Sequence, residues 1–172
     1  MARPPLALTG AAVLGLLLLP HGAAASLSLT APSTVSFGPV TLSGGDTSTT
    51  AQPALAVADS DAVSTGWNLT LSTTAFSGPG GAGIPDPALS IPSAPAVTCT
   101  GPGGVCASNP VNTVLYPVAF GQGGAAVKWF DAAAASGLGS FNVVPTLQLA
   151  LPASVRAGAY SATLTWSITA GP

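Results

Sequence analysis

The acids of this chain are five aspartates, Asp46, Asp59, Asp61, Asp86 and Asp131, and Glu is absent. Asp59 and Asp61 stand two apart in Asp-Ser-Asp, a spacing that could pair carboxylates for acid–base work or for part of a Ca²⁺ site. The EF-hand ladder with its closing Glu is missing, and no oriented proton partner stands nearby, so the pair reads as a loop end that caps backbone amides. The only His is His21, which lies in the N-terminal segment read below as a removed signal peptide. The exported chain then has no imidazole, and neither a Ser-His-Asp relay nor a nitrogen-rich zinc site can be assembled. The expectation is no catalytic residue, no metal and no cofactor. Two Cys, Cys99 and Cys106, flank Thr-Gly-Pro-Gly-Gly-Val. That spacing fits neither a CxxC redox site nor a metal cluster, while the Gly-Pro-Gly-Gly turn can bring the two sulfurs together as a disulfide.

The N-terminal segment sets the compartment in which that disulfide forms. Arg3 gives a short positive start, Leu6 to Leu19 is an apolar run, Pro20-His21-Gly22 breaks it, and Ala23-Ala24-Ala25 offers a small-residue cleavage site. The run is too short for a membrane helix, which needs about 20 residues. Residues 1–25 therefore read as a signal peptide and residues 26–172 as the exported chain, with no transmembrane anchor in it. No Cys follows the cut, so a lipoprotein anchor is not expected. Export leaves two cations, Lys128 and Arg156, against the five Asp. Charged residues are 5% of the chain, where an average soluble domain has about 25%. This excludes a polybasic nucleic-acid binder and a salt-bridge-laced helical protein. Gly121-Gln-Gly-Gly lacks the Gly-Lys-Ser/Thr of a phosphate-binding loop, because Lys128 sits in Val-Lys-Trp.

The elements that must position these residues are strands. No run of ten residues shows helical periodicity with caps, and the apolar pattern has period two. Leu27/Leu29, Val35/Phe37, Val40/Leu42, Leu55/Val57, Trp67/Leu69/Leu71, Leu89/Ile91, Val97 and Leu147/Leu149/Leu151 all follow it. The last strand is the clearest: Tyr160, Ala162, Leu164, Trp166 and Ile168 alternate with Ser161, Thr163, Thr165, Ser167 and Thr169. About eight to ten such strands predict an all-β sandwich in one domain. Ala132–Ala135 could add one helical turn. Phe76 to Pro87 is a Gly/Pro-rich connector. Asn68-Leu-Thr spells a glycosylation sequon, discounted because it falls inside a strand.

Asp59-Ser-Asp-Ala-Val-Ser-Thr-Gly-Trp-Asn-Leu-Thr-Leu places Trp67-x-Leu69 shortly after an Asp. The chain closes with Ala157-Gly-Ala-Tyr-Ser-Ala-Thr-Leu-Thr-Trp166-Ser-Ile168. In both motifs, and in the Leu27-Ser-Leu-Thr strand after the signal peptide, the sequence resembles the WxL-domain surface proteins of Gram-positive bacteria. Ile168 replaces the usual Leu, and residues 76–112, with the Cys pair, match nothing in the family's pattern. The resemblance implies an immunoglobulin-like β-sandwich held non-covalently at the cell wall, through peptidoglycan or other wall-associated proteins.

On a strand, Trp-x-Leu puts an indole and an aliphatic side chain on one face. Trp67, Leu69, Trp166 and Ile168 are the candidate binding residues: exposed, they would form a flat apolar surface for a sugar ring or a partner protein. Buried, the same tryptophans would be the centre of the sandwich. Trp129 lies outside the motifs, next to Phe130, and simple alternation leaves one of those two rings exposed. Tyr160 suits a corner position, its hydroxyl bonded to backbone. The expected function is an exported, non-catalytic cell-surface protein that binds the wall. The alternative is a self-assembling structural or adhesive β-sandwich subunit, of fimbrial or coat type, compatible with low charge and Thr-rich strand faces.

Overall fold

Period-two alternation needs a sheet on one side and solvent or a second layer on the other, and the chain satisfies this with strands throughout. The computed structural model describes residues 26–61 and 63–172. The signal peptide expected over residues 1–25 lies outside the described residues. Eleven strands appear among those described: β1 (Leu27–Thr30), β2 (Thr47–Ala51), β3 (Leu55–Asp59), β4 (Trp67–Thr73), β5 (Leu89–Ile91), β6 (Ala96–Cys99), β7 (Val118–Phe120), β8 (Val127–Ala132), β9 (Gly139–Val144), β10 (Leu147–Leu151) and β11 (Leu164–Ala170). They pair antiparallel in three sheets, β1-β3-β9-β6, β2-β10-β5-β7 and β11-β4-β8. A parallel bridge between Thr73 and Gln122 ties the end of β4 to the residues after β7. The architecture is all-β, a single β-sandwich, as the alternation and the family resemblance lead one to expect.

One core runs between the layers. Leu55, Val57, Trp67, Leu69, Leu71, Leu89, Ile91, Phe120, Trp129, Phe130, Phe141, Val143 and Leu147 are all essentially inaccessible. Burying a side chain of this size stabilises by about 1.5–3 kcal/mol before chain entropy is counted. The run Val143–Leu151 splits at Pro145, which has no N–H to give a ladder. β9 ends before it and β10 begins after it in a different sheet, so this corner carries the chain from one layer to the other.

Three expectations are corrected. Val35–Leu42 forms no strand, although Val35, Phe37 and Val40 pack half-buried against the core. Gly38-Pro39 interrupts the segment: Gly38 has φ 71° and Pro39 lacks a donor. Ala132–Ala135 makes no helical turn. β8 runs through Ala132, and a tight turn follows with Ala135 at φ 63°, closed by bonds from the Ser136 N–H (3.0 Å) and hydroxyl (2.7 Å) to the Ala133 carbonyl. The closing strand starts at Leu164, and Ser161 joins Ser77 only as an isolated bridge.

Cys99 and Cys106 are joined as a disulfide, with Cα atoms 5.9 Å apart. The bridge closes the Gly-rich turn after β6 and seats Cys106 against Gly139, where a Cβ would come within 2.9 Å of the Cys106 Cβ. Loop length alone predicts the effect of opening it: Cys99→Ser with Cys106→Ser should lower stability by about 2.5 kcal/mol. A urea melt checks this, and an unchanged midpoint would mean that the loop is held by its other contacts.

Candidate functional site

The two motif strands lie side by side. β11 pairs with β4 along its whole length, with Trp166 opposite Leu71, Ile168 opposite Leu69 and Ala170 opposite Trp67. Residues directly opposite share a face, so all four motif side chains point to the same side of the sheet. Their burial differs because their strands differ. β4 has a neighbour on each side, and Trp67 and Leu69 are fully inaccessible. β11 is an edge strand, and Trp166 and Ile168 are half-buried, with Thr165, Ser167 and Thr169 exposed on its other face.

The indole N–H of Trp67 donates to the Gly137 carbonyl at 2.9 Å. Gly137 sits at φ 77°, and a Cβ there would lie 2.7 Å from the Trp67 Nε1, so this turn can reach the indole only as glycine.

The motif tryptophans are joined through a chain of rings. Phe141 is 6.5 Å from Trp67, Trp67 is 5.6 Å from Phe130, Phe130 is 6.0 Å from Trp129, and Trp129 meets Trp166 edge-on at 5.6 Å. Both Trp129 and Phe130 are buried, against the expectation that alternation exposes one of them. The reason is a β-bulge. Leu69 pairs with Phe130 and the next residue, Thr70, pairs with Lys128, so Trp129 is the extra residue and parity is reset. Two adjacent large aromatics in an otherwise alternating strand were the only sequence signal for it.

A strap over β8 is a second feature the alternation did not expose. The amide and hydroxyl of Thr113 both donate to the Asp131 carboxylate, each at 2.6 Å. The amide of Asp131 donates to the Asn112 side-chain carbonyl at 3.1 Å, and the Tyr116 hydroxyl donates to the Trp129 carbonyl at 2.6 Å. The strap occupies the edge of β8 that no strand covers. Burial raises the Tyr116 phenol, with the Asp131 charge adding to it and the Asn112 hydrogen bond opposing. Burial also works to raise the Asp131 carboxyl, but the Thr113 hydrogen bonds and then Lys128, 3.3 Å away, outweigh it and hold the carboxyl below its ordinary value.

The aspartates serve the backbone. Asp46 accepts from the amide of Ala153, Asp59 from that of Asp61 and Asp86 from that of Gln122, all within 3.0 Å. Asp59 thus takes the capping role read for the pair Asp59-Ser-Asp61, with the Asp61 amide as its donor. Tyr160 donates its hydroxyl to the Arg156 carbonyl at 3.0 Å, the corner arrangement expected of it. Asn68 donates its amide to the Gly171 carbonyl at 2.9 Å.

A family model described as "WxL domain surface cell wall-binding" matches residues 19–172. The chain belongs to the WxL family. No curated protein and no solved structure matches it. Membership places this WxL protein at the cell surface as a cell-wall-binding domain, and no helix among the described residues is long and apolar enough to cross a membrane. In WxL terms the first motif lies in the central strand of its sheet and the second at the edge. The Ile168 that replaces Leu faces Leu69 of the first motif across the pair.

Proposed function

We propose that this WxL protein is a non-catalytic attachment module that holds to the wall non-covalently, contacting peptidoglycan or a partner wall protein through the apolar stripe of β11. The observation that carries the reading is the difference between the two motifs. Trp166 and Ile168 keep accessible surface on an edge strand, while Trp67 and Leu69 back them from the core. An indole edge beside an aliphatic side chain suits a sugar ring or an apolar protein contact. Peptidoglycan supplies the first and a wall protein the second.

Sedimentation with isolated cell walls tests it, with and without other wall proteins present. Trp166→Ala should weaken retention by roughly 30-fold, the effect of removing an aromatic anchor worth about 2 kcal/mol, while circular dichroism reports an intact fold. Wild-type protein that stays in the supernatant in both settings, or a Trp166→Ala variant retained like wild type, sinks the reading.

Self-assembly into an adhesive subunit has its own supporting observation. Residues 87–127 contain no charged side chain. Val97, Val105, Val111 and Leu115 are exposed within that stretch, and β6 is the outer strand of its sheet. Natural edges are usually blunted by charge. Light scattering at rising concentration separates the two readings: constant mass supports wall binding by a monomer, and steady growth supports assembly.

A further inference from the structure

Two cavities meet at one arginine. The larger, about 720 Å³, is an open groove with Phe76, Ile84, Leu149 and Leu151 at its base and the irregular segment 35–42 along its side. The smaller, about 340 Å³, is a polar recess among Gly80, Gly81, Gly83 and Ser154. Arg156 and Tyr160 line both.

The walls are built. The Thr49 hydroxyl donates to the Phe37 carbonyl at 2.7 Å and pins the segment 35–42 beside β2. The turn carrying Arg156 is fixed by the Tyr160 hydroxyl on the Arg156 carbonyl and by paired backbone bonds between Ser77 and Ser161, at 2.9 and 3.0 Å. Two glycines permit that docking. A Cβ on Gly78 would collide with the Tyr160 ring, and one on Gly158 with Pro79. The Ala-Gly-x-Tyr part of the closing motif thus shapes the boundary between groove and recess.

The charge is one-sided. Arg156 is exposed and has no carboxylate within 4.0 Å among the described residues, whose ion pair is Lys128 with Asp131. No acid lines either cavity, and Asp46, which accepts from the amide of Ala153 beside the recess residue Ser154, is already engaged there. The groove falls in the size range of small-molecule sites, which are mostly apolar with a few placed polar groups. A guanidinium fork matches a carboxylate or phosphate.

We infer that this groove binds a single-chain amphiphile, its hydrocarbon body along Leu149 and Leu151 and its anionic head at Arg156 beside the recess. A plain hydrocarbon would leave the guanidinium and the recess unused, and a small anion would leave the apolar floor unused. The site does not depend on the wall-contact reading of β11.

Isothermal titration calorimetry on the purified protein tests this with three probes: sodium dodecanoate below its micelle concentration, dodecyltrimethylammonium under the same condition, and inorganic phosphate. Dodecanoate should bind at one site, the ammonium about tenfold more weakly, and phosphate alone without detectable heat. Arg156→Gln should remove the preference for the anion, weakening dodecanoate while the cationic amphiphile binds no more weakly than to wild type. Val40→Trp, which fills the groove from a half-buried loop, should weaken both by about tenfold or more, with a thermal melt confirming the fold. Equal binding of anion and cation, unsaturable uptake, no heat from dodecanoate, or indifference to either variant would overturn the inference.

Discussion

Trp67→Ala should lower the stability of the domain by about 4 kcal/mol, the cost of emptying a fully buried indole site. The ring has no accessible surface and is clasped between Phe130 and Phe141. Its loss would leave the Gly137 carbonyl without its 2.9 Å donor as well as a void. The turn at Gly137 offers no side chain to collapse into that void. A typical domain has only about 5–15 kcal/mol to lose, so the urea midpoint should fall steeply. Trp67→Phe keeps most of the ring but not the donor, and should fall between the two. A Trp67→Ala variant that melts with wild type would refute the assignment of this motif to the core.

Asp131→Ala should cost about 3 kcal/mol at neutral pH, since hydrogen bonds to a charged group contribute about 1.5–3 kcal/mol each and their loss leaves the Thr113 amide unsatisfied. The Asp131 carboxylate is 1% exposed, so solvent does little to replace them. The effect depends on pH in one direction. The folded carboxyl titrates below its ordinary value of 3.8, so its contribution is complete above that value and disappears as pH falls through the lower folded one. The stability gap between wild type and Asp131→Asn, which does not titrate, should hold from neutral pH down to about 4 and narrow below it. A gap that stays constant to low pH, measured by urea melts in a buffer series, would show that the carboxylate's charge is irrelevant to the strap.

Much of the sandwich was legible because alternation reports which residues share a face. Leu27/Leu29, Trp67/Leu69/Leu71 and Leu147/Leu149/Leu151 all became strands with those side chains turned inward or toward the core. Alternation does not report how many neighbours a strand has. That is why the pattern put each indole beside its own aliphatic neighbour but could not distinguish the central β4 from the edge β11, and the accessibilities of Trp67 and Trp166 follow from that difference. β2 carries only Thr, Ser and a terminal Ala, so it gave no apolar signal at all; it forms because β10 offers a ladder beside it. In Val35–Leu42 the periodicity was present but Gly38-Pro39 overrode it. The bulge at Trp129 and the strap over β8 depend on contacts between distant segments, for which a single chain read in order holds little trace. The groove at Arg156 is of the same kind, assembled from segments far apart in the chain.

The uncharged stretch from residue 87 to 127, with Val97, Val105, Val111 and Leu115 at its surface, has a kinetic consequence. A partner docking on these residues gains no steering from the stretch itself, so ionic strength should alter its capture only weakly. Its dwell time would be set by how completely water is expelled from the contact, so warming and cooling, rather than salt, are the variables that would govern it.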